Sequence, residues 1–390
     1  MERVFLHCDM DNFYASVEEK YKPSLRNIPF AVCGDPAMRH SIVMSKNALA
    51  KRLGVKTGLS YAQAKQICPS LVYIKADMSK YLVETNDSRK VYLKYTDKIV
   101  PYGMDESWLE LEEGTTMKEA RQLAEVIRVE FMYSLGLSAG VGVSFNYIFS
   151  KLGSDLAKPN NTAVITKDNF KDIVWPRPAE ELLFVGAARK KALRGIGIQT
   201  IGDIAQTDPR RLRKLLGKAG YDLWCFANGD DRNFKPSNDS IGSIGNTITP
   251  PADLRTNEEA SAVIYLLVSA ISARLNRHML KTRCISICMR DSQFNKVIRQ
   301  CSTSLPTDNA NNIFNRAYAL FRKHYTWANP LRSVGVRVDN LCNDDQLSLF
   351  EYDECDLEID MDCRIKRLTE RFGVLEFERA ATTKEVKTVN

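Results

Sequence analysis

The stretch FLHCDMDNFY, residues 5–14, runs from apolar residues directly into the carboxylates Asp9 and Asp11. A second stretch, VPYGMDESWLEL at residues 100–111, does the same at Asp105 and Glu106. The apolar residues predict buried strands, and an unpaired charge at the end of a buried strand costs several kcal/mol. Neither stretch contains Lys or Arg. We therefore expect a hard divalent cation as the partner, and all-oxygen ligands favour Mg²⁺.

Asp11 and the following Asn12 have a simpler alternative role as the N-cap of a helix that begins near Phe13. Capping does not account for Asp9, which lies too far before the helix, or for the adjacent acidic pair of the second stretch. We therefore predict a metal site shared by the two stretches, with Asp11 in a capping or supporting role. The predicted ligands are the side chains of Asp9, Asp105 and Glu106 and the backbone carbonyl of Met10.

The composition of the 390 residues, 44% hydrophobic and 26% charged, is that of an ordinary globular protein with two to four domains. No apolar run approaches the roughly 18 residues of a membrane helix, and no leader precedes the first strand. We therefore expect a cytoplasmic protein with no membrane partner. The ten cysteines include no C-x-x-C pair, which predicts reduced thiols and no structural zinc site.

Charge is distributed unevenly along the chain. Residues 240–340 contain 13 Lys and Arg against 6 Asp and Glu, a net charge of +7, whereas residues 341–390 contain 7 against 13, a net charge of −6. A basic body with an acidic tail favours a polyanionic partner for the body. A solvated basic surface is the simpler alternative.

The pattern of apolar residues divides the chain into modules. Residues 1–165 alternate strands and amphipathic helices, whereas residues 170–235 are helical. Within the helical part, GIQTIGD at residues 197–203 follows four cations and predicts a helix-hairpin-helix that holds a phosphate. An ordinary helical hairpin is the alternative. Residues 241–340 predict a second, basic α/β module.

Two divalent ions on the predicted carboxylates suit in-line phosphoryl transfer, in which an attacking hydroxyl is activated and the leaving phosphates are neutralised. Phosphates also need cations and N–H donors. The candidates are Lys158, either Lys51 or Arg52, and the backbone N–H groups of Phe13 and Tyr14.

With these residues in place, the chain resembles the Y-family DNA polymerases of the DinB/UmuC branch. The resemblance rests on DMDNFYASVE at residues 9–18, MDES at 104–107, GVSFN at 142–146, and the segment from Lys151 to Pro159, all in the order and spacing of the family. It implies a multi-domain α+β fold of the right-hand polymerase type. The implied domains are a ferredoxin-like palm (1–18 and 79–165), small fingers (19–78), a helix-hairpin-helix thumb (166–235), a linker (236–244), an α/β little finger that binds DNA (245–341) and an acidic tail (342–390).

The resemblance implies a template-directed, error-prone translesion DNA polymerase that adds dNTPs to a primer 3′-hydroxyl and bypasses DNA damage. Its implied cofactor is a pair of Mg²⁺ ions, its partners are primer-template DNA and dNTP, and the chain is expected to act as a monomer. Tyr14 matches the steric gate, an aromatic ring under the sugar that excludes a 2′-hydroxyl; a core aromatic at a helix start is the simpler alternative. The implied nucleotide-binding residues are Phe13, Tyr14, Ser45, Lys51 and Lys158.

Three positions depart from the family pattern. Ala48 and Lys51 stand where many members carry Tyr and Arg, and Lys lacks the bidentate fork of Arg. Tyr147 replaces the lysine that usually follows Asn146, which removes a charge near the template strand. These departures leave the DinB-like or UmuC-like subtype open. Two alternatives also stay open, a clamp-tethered DNA-binding accessory protein with a weakened polymerase site and a non-DNA nucleotidyl enzyme such as a cyclase.

The tail contains QLSLF at residues 346–350, which resembles the sliding-clamp-binding peptide of bacterial polymerases. Apolar side chains in a polar tail are typical of segments that bind a partner groove. The implied partner is a bacterial-type sliding clamp, with Gln346 as polar anchor, Leu347 beside it, and Leu349 and Phe350 in an apolar pocket.

Overall fold

The computed structural model describes residues 3–35, 41–234 and 241–343. These residues form two compact units that divide between Phe234 and Ile241. Across the described ranges, every helix is too short or too polar to traverse a bilayer. The cysteines in the same ranges are all free thiols.

The first unit contains eight strands and eleven α-helices. The strands are β1 (Phe5–Met10), β2 (Phe30–Cys33), β3 (Val43–Lys46), β4 (Val72–Lys75), β5 (Ile99–Pro101), β6 (Glu106–Glu110), β7 (Ala139–Ser144) and β8 (Thr162–Ile165). The helices are α1 (Phe13–Tyr21), α2 (Ala48–Arg52), α3 (Tyr61–Ile67), α4 (Met78–Tyr92), α5 (Met117–Glu130), α6 (Tyr147–Leu156), α7 (Phe170–Val174), α8 (Ala187–Arg194), α9 (Ile201–Gln206), α10 (Pro209–Leu216) and α11 (Lys218–Ala227).

A five-stranded sheet with the order β5-β6-β1-β7-β8 forms the centre of this unit. β1 pairs antiparallel with both β6 and β7, and all six of its residues are buried. Leu6, Cys8 and Met10 form an apolar face of the strand, whereas the opposite face carries Phe5 and the buried polar residues His7 and Asp9. Leu6, Cys8 and Met10 contribute to the core cluster that contains α4 and α5 residues, whereas α6 packs on β1 and β7.

A smaller sheet with the order β3-β2-β4 is accompanied by α2 and α3. Both short helices start at side-chain caps. Asn47 accepts a hydrogen bond from Ala50 N–H before α2, and Ser60 forms a capping box with Gln63 before α3. Such caps satisfy N–H groups that would otherwise lack partners at a helix start.

The helical part of the first unit, α7 to α11, has a core to which α6 also contributes, through residues such as Phe149 and Leu152. The string GIQTIGD covers most of the turn between α8 and α9 and the first residues of α9. Gly197 has a φ of 86°, a left-handed conformation that glycine adopts without strain, and Thr200 forms a capping box with Asp203. The two helices and the glycine turn form a helical hairpin, a feature that both alternatives for this string share.

The second unit contains β9 (Ser243–Ile248), α12 (Asn257–Arg277), β10 (Lys281–Asp291), β11 (Lys296–Thr307), α13 (Ala310–His324) and β12 (Leu331–Cys342). Its antiparallel sheet has the order β11-β10-β12-β9, and both helices share its core with Ile285, Ile287 and Met289. β9 starts inside residues 236–244, which the sequence predicted as linker. β12 also runs past Leu341, where the apolar pattern ends, because the ladder with β10 continues to Cys342.

Candidate active site

Three carboxylates lie at neighbouring strand ends of the five-stranded sheet. Asp9 of β1 stands opposite Glu106, the first residue of β6. Asp105 immediately precedes β6, and its carbonyl accepts a hydrogen bond from the N–H of Met10 at 3.0 Å. The antiparallel pairing of β1 and β6 therefore places the two acidic stretches side by side.

Burial and mutual repulsion oppose the ionisation of two of these carboxylates. Burial raises the pKa of Asp105, and the charge of Asp9 raises it further. Burial likewise raises the pKa of Glu106, against the opposing attraction of Lys151. Groups whose pKa is raised by burial and by like charge are stabilised in their charged form by an added cation.

Two lysines supply positive charge to this site. The Nζ of Lys151 lies 2.8 Å from Asp9 Oδ2, 2.5 Å from Glu106 Oε2 and 3.5 Å from Asp155 Oδ1. The Nζ of Lys158 lies 2.6 Å from Asp9 Oδ1. Burial disfavours the Lys151 ammonium, but the attraction of the surrounding carboxylates outweighs it, so the pKa of Lys151 is raised.

These ion pairs correct one step of the sequence argument. The absence of Lys and Arg from the two acidic stretches suggested that only a metal compensates the carboxylates, but α6 and the turn after it bring lysines to Asp9. The spacing of Lys151, Asp155 and Lys158, at i, i+4 and i+7, is the signal that was missed, because it places the three residues on one helical face.

Glycines allow α6 to approach the sheet closely enough for these contacts. A Cβ on Gly142 of β7 would lie 2.0 Å from the Ser150 carbonyl oxygen and 2.4 Å from the Ser154 nitrogen, both backbone atoms of α6. A Cβ on Gly140 would lie 2.6 Å from the Ser154 oxygen and 3.0 Å from Lys158 Cγ. Side chains at these two positions would therefore push α6 away from Asp9.

His7 lies fully buried on the same face of β1 as Asp9, two residues before it. Its Nδ1 is 2.8 Å from Ser154 Oγ, and its Nε2 is 3.6 Å from Glu106 Oε2. Burial, with the nearby charges of Lys151 and Lys158, holds the pKa of His7 well below its usual range. Burial and these two ammonium groups therefore disfavour a protonated imidazole at this position.

The donor set fits a hard divalent ion, although the side chains are not arranged around one. Among the described residues, no three His, Cys, Asp or Glu side chains converge as a metal-binding group. Asp9, Asp105 and Glu106 nevertheless offer only oxygen atoms, which hard cations prefer. In this structure the ammonium groups of Lys151 and Lys158 lie against the Asp9 oxygens, and Lys151 also lies against Glu106.

The side chain of Asp11 does not cap α1. Asn12 is the N-cap residue of α1, with a φ of 47°, and no side chain caps the helix. Asp11 Oδ2 instead accepts hydrogen bonds from Ser138 Oγ at 2.8 Å and from the N–H of Asn160 at 2.9 Å. Of the two roles expected for Asp11, capping does not hold and the supporting role remains, because the carboxylate turns away from α1 toward the segments that flank β7 and β8.

Tyr14 lies in the first turn of α1, next to the acidic site. Its ring contacts that of Tyr81 with centroids 4.6 Å apart, and its hydroxyl donates to Met104 Sδ at 3.6 Å. The hydroxyl of Tyr81 in turn donates to Glu18 at 2.8 Å. The Tyr14 ring is only partly buried, whereas Phe13 is a core residue, so Tyr14 keeps an accessible face beside Asp105.

Ser45 and Lys51 occupy different environments in the structure. Ser45 of β3 is nearly buried, and its hydroxyl donates to the Asn12 carbonyl at 3.1 Å, which links the small sheet to the start of α1. Lys51 is exposed on α2. Burial lowers the pKa of Lys46, and the charge of Lys51 lowers it further.

Tyr147, the departure from the family lysine, is a packing residue here. Its ring lies against Phe5 with centroids 4.2 Å apart and meets Trp108 edge to face. Its N–H donates to Asp231 at 2.8 Å at the start of α6. The predicted clamp-binding residues Gln346, Leu347, Leu349 and Phe350 lie outside the described residues.

Comparison with known proteins gives consistent matches over both units. Residues 8–155 match the impB/mucB/samB family, and residues 242–349 match the impB/mucB/samB family C-terminal domain. A protein named DNA polymerase IV from Acetivibrio thermocellus is 42% identical over 388 residues, which covers 97% of each chain. DNA polymerase IV 1 of Bacillus subtilis strain 168 is 30% identical, covering 98% of this chain and 94% of its own.

Among solved structures, a Y-family DNA polymerase chimera matches with a TM-score of 0.77 at 24% identity. The match covers 87% of this chain and all of the chimera. At that identity it shows the fold. The predicted multi-domain α+β fold and the predicted resemblance to Y-family polymerases are therefore confirmed.

Proposed function

We propose that this chain, which belongs to the impB/mucB/samB family, is a template-directed DNA polymerase that copies past damaged template bases. The observation that carries this proposal is the match over nearly the full length to DNA polymerase IV proteins, together with a Y-family fold. The carboxylates at the strand ends of the first unit are the proposed catalytic site for this activity. The accessory-protein alternative is not favoured, because the carboxylates and lysines of that site are all present.

The chain's own residues position the reactants. We propose that Asp9, Asp105 and Glu106, with the carbonyl of Met10, hold two Mg²⁺ ions. Such ions supply activation of the primer 3′-hydroxyl and neutralisation of the dNTP phosphates. Lys158 has a side chain that is 34% exposed, so its ammonium is able to turn from Asp9 to a phosphate oxygen. The first N–H groups of α1, at Phe13 and Tyr14, have no partner within the helix and suit the same phosphates.

The small sheet contributes the other side of the nucleotide site in this proposal. Lys51 on α2, with Lys46 near it, adds positive charge for the triphosphate, and Ser45 fixes the small sheet to the start of α1. Ile42 is 47% exposed. Together with Met44 and Ala48, it presents no bulky aromatic ring to the templating pair, which supports tolerance of distorted bases.

Tyr14 is proposed as the steric gate. Its ring is supported from behind by Tyr81, and its hydroxyl is directed to Met104. A ring held at these two points cannot easily turn aside for a ribose. A 2′-hydroxyl then meets the ring face, so dNTPs are selected over rNTPs.

We propose that the helical hairpin and the sheet of the second unit bind the DNA backbone. On the sheet face opposite the helices, Arg290 and Lys296 stand opposite each other on β10 and β11. Cations on an open sheet suit a phosphate backbone and make binding salt-dependent. In the hairpin, Lys190 and Arg194 currently pair with Glu180 at 2.5 and 3.4 Å, and a DNA phosphate would compete for them.

Beyond the described residues, we propose that Gln346, Leu347, Leu349 and Phe350 bind a bacterial-type sliding clamp and that the polymerase acts as a monomer. Leu and Phe side chains near a Gln are typical of peptide segments that bind in a groove of a partner protein. The clamp then supplies processivity that a single basic sheet does not.

Single-nucleotide insertion on a primed template in Mg²⁺ tests the polymerase proposal, with undamaged and abasic templates in parallel. We expect template-directed insertion on both. DNA binding without insertion would support the accessory-protein alternative. No DNA binding even at low salt would support a small-molecule nucleotidyl enzyme.

A further inference from the structure

Asp11 is a buried carboxylate that the proposed metal site does not use. Its exposed fraction is 6%, and two hydrogen bonds converge on its Oδ2 atom, from Ser138 Oγ at 2.8 Å and from the N–H of Asn160 at 2.9 Å. Burying a carboxylate costs free energy because it loses its hydration, and hydrogen bonds within the protein compensate for that loss. The Asn160 bond leads directly to the turn that carries Lys158.

Asn160 is held from a second side by Arg128 of α5. The guanidinium donates to Asn160 Oδ1 from Nε at 3.3 Å and from Nη2 at 3.1 Å, and Nη2 also donates to the Asn160 carbonyl. Asn160 has a φ of 43°, in the left-handed region. Its N–H, its carbonyl and its side chain therefore all have fixed partners, which keep the residue in a conformation that is unfavourable for most side chains.

Lys158, two residues before Asn160, has its stem against β7. A Cβ on Gly140 would lie 3.0 Å from Lys158 Cγ and 3.2 Å from the Lys158 nitrogen. The stem therefore starts from a fixed backbone and follows a fixed surface before its ammonium reaches Asp9. Only the end of the side chain is free to turn.

We propose that Asp11 and Arg128 are positioning residues that hold the Lys158 ammonium in the nucleotide site by fixing Asn160. This inference rests on the proposed contact between Lys158 and the dNTP phosphates. Asp11 acts here as a hydrogen-bond acceptor and not as a metal ligand. Because both bonds end on one oxygen, an amide oxygen in the same place accepts both.

The test compares Asp11→Ala with Asp11→Asn in steady-state single-nucleotide insertion. Asp11→Ala releases Asn160, and we expect the KM for dNTP to rise roughly fivefold to twentyfold, with kcat changed less, because one charge-assisted contact to a phosphate is weakened. Asp11→Asn is expected to stay within about twofold of the parent, since the hydrogen bonds persist. An Asp11→Asn variant as inactive as Asp105→Ala would identify a metal ligand and overturn the proposal.

Two further variants distinguish a specific effect on the position of Lys158 from a general destabilisation of the protein. In a Lys158→Ala background, adding Asp11→Ala is expected to raise the KM no further; an undiminished increase there would contradict the proposal. Arg128→Ala is expected to raise the KM as Asp11→Ala does, whereas Glu125→Ala, which removes a partner of Arg128 but touches nothing in Asn160, serves as the matched control. Arg128→Ala also replaces Asp11→Ala if the latter does not fold.

A readout independent of activity is hydrogen exchange of the peptide that contains Asn160. Exchange is expected to accelerate in Asp11→Ala and to stay at the parent rate in Asp11→Asn. If neither the exchange rate nor the KM changes in Asp11→Ala, the positioning role is wrong, and the proposed contact between Lys158 and phosphate is unaffected. If Lys158→Ala leaves the KM for dNTP unchanged while the parent enzyme inserts nucleotides, the proposed phosphate contact itself is wrong.

Discussion

The variant Gly142→Ala tests whether the geometry of the acidic site depends on the close approach of α6 to β7. The added Cβ would lie 2.0 Å from the Ser150 carbonyl oxygen, and ordinary contact begins at 3.4 Å, so the separation must grow by about 1.4 Å. Overpacking of this kind costs about 1–3 kcal/mol, which lowers the Tm by about 2–12 °C for a unit of this size. α6 also packs on β1, the strand that carries the proposed ligand Asp9, and a displacement of about 1 Å within such a site costs on the order of 10²-fold in rate.

The assay is thermal unfolding with single-nucleotide insertion, measured on a graded set of alanine variants. The first contacts of the added Cβ lie at 2.0 Å for Gly142, 2.6 Å for Gly140 and 3.0 Å for Gly153, whereas nothing lies within 4 Å at Gly242. We expect losses of Tm and rate in that order, with Gly242→Ala equal to the parent. A Gly142→Ala protein with the Tm and rate of Gly242→Ala would refute the reasoning.

Three other outcomes are expected. Tyr14→Ala should lower the preference for dNTP over rNTP by at least roughly tenfold, whereas Tyr14→Phe, which loses only the weak bond to Met104, should change it by less than about threefold; equal effects would contradict a ring-based gate. Deletion of residues 346–350 should abolish stimulation by a bacterial clamp but leave single-nucleotide insertion unchanged, and persistent stimulation would place the clamp contact elsewhere. Chelation by EDTA should stop insertion yet shift the Tm by less than about 2 °C, because Lys151 and Lys158 already neutralise Asp9; unfolding on chelation would show that the metal is structural.

Part of the site was predictable because it is local in sequence. Apolar residues beside Asp9 and after Glu106 indicate the buried strands β1 and β6. The apolar residues before Asp105 do not form a strand that ends at the carboxylates, because β5 ends at Pro101 and Asp105 immediately precedes β6.

The contacts that the sequence did not predict are long-range. Lys151 and Lys158 meet Asp9 only because Gly140 and Gly142 let α6 lie directly on β7. Asp11 resembles an N-cap in sequence, but its partner Asn160 becomes visible only when β7 and β8 pair beside β1. Such contacts depend on packing, which local propensity does not determine.

The most direct test of the polymerase site is Asp105→Ala in single-nucleotide insertion with Mg²⁺, alongside DNA affinity measured by fluorescence anisotropy. Glu112→Ala, an exposed acidic position that follows β6 by two residues, is the matched control. We expect Asp105→Ala to lose insertion by several orders of magnitude with DNA affinity and Tm retained, and Glu112→Ala to behave as the parent. Full insertion activity in Asp105→Ala would contradict the assignment of these carboxylates as the catalytic site.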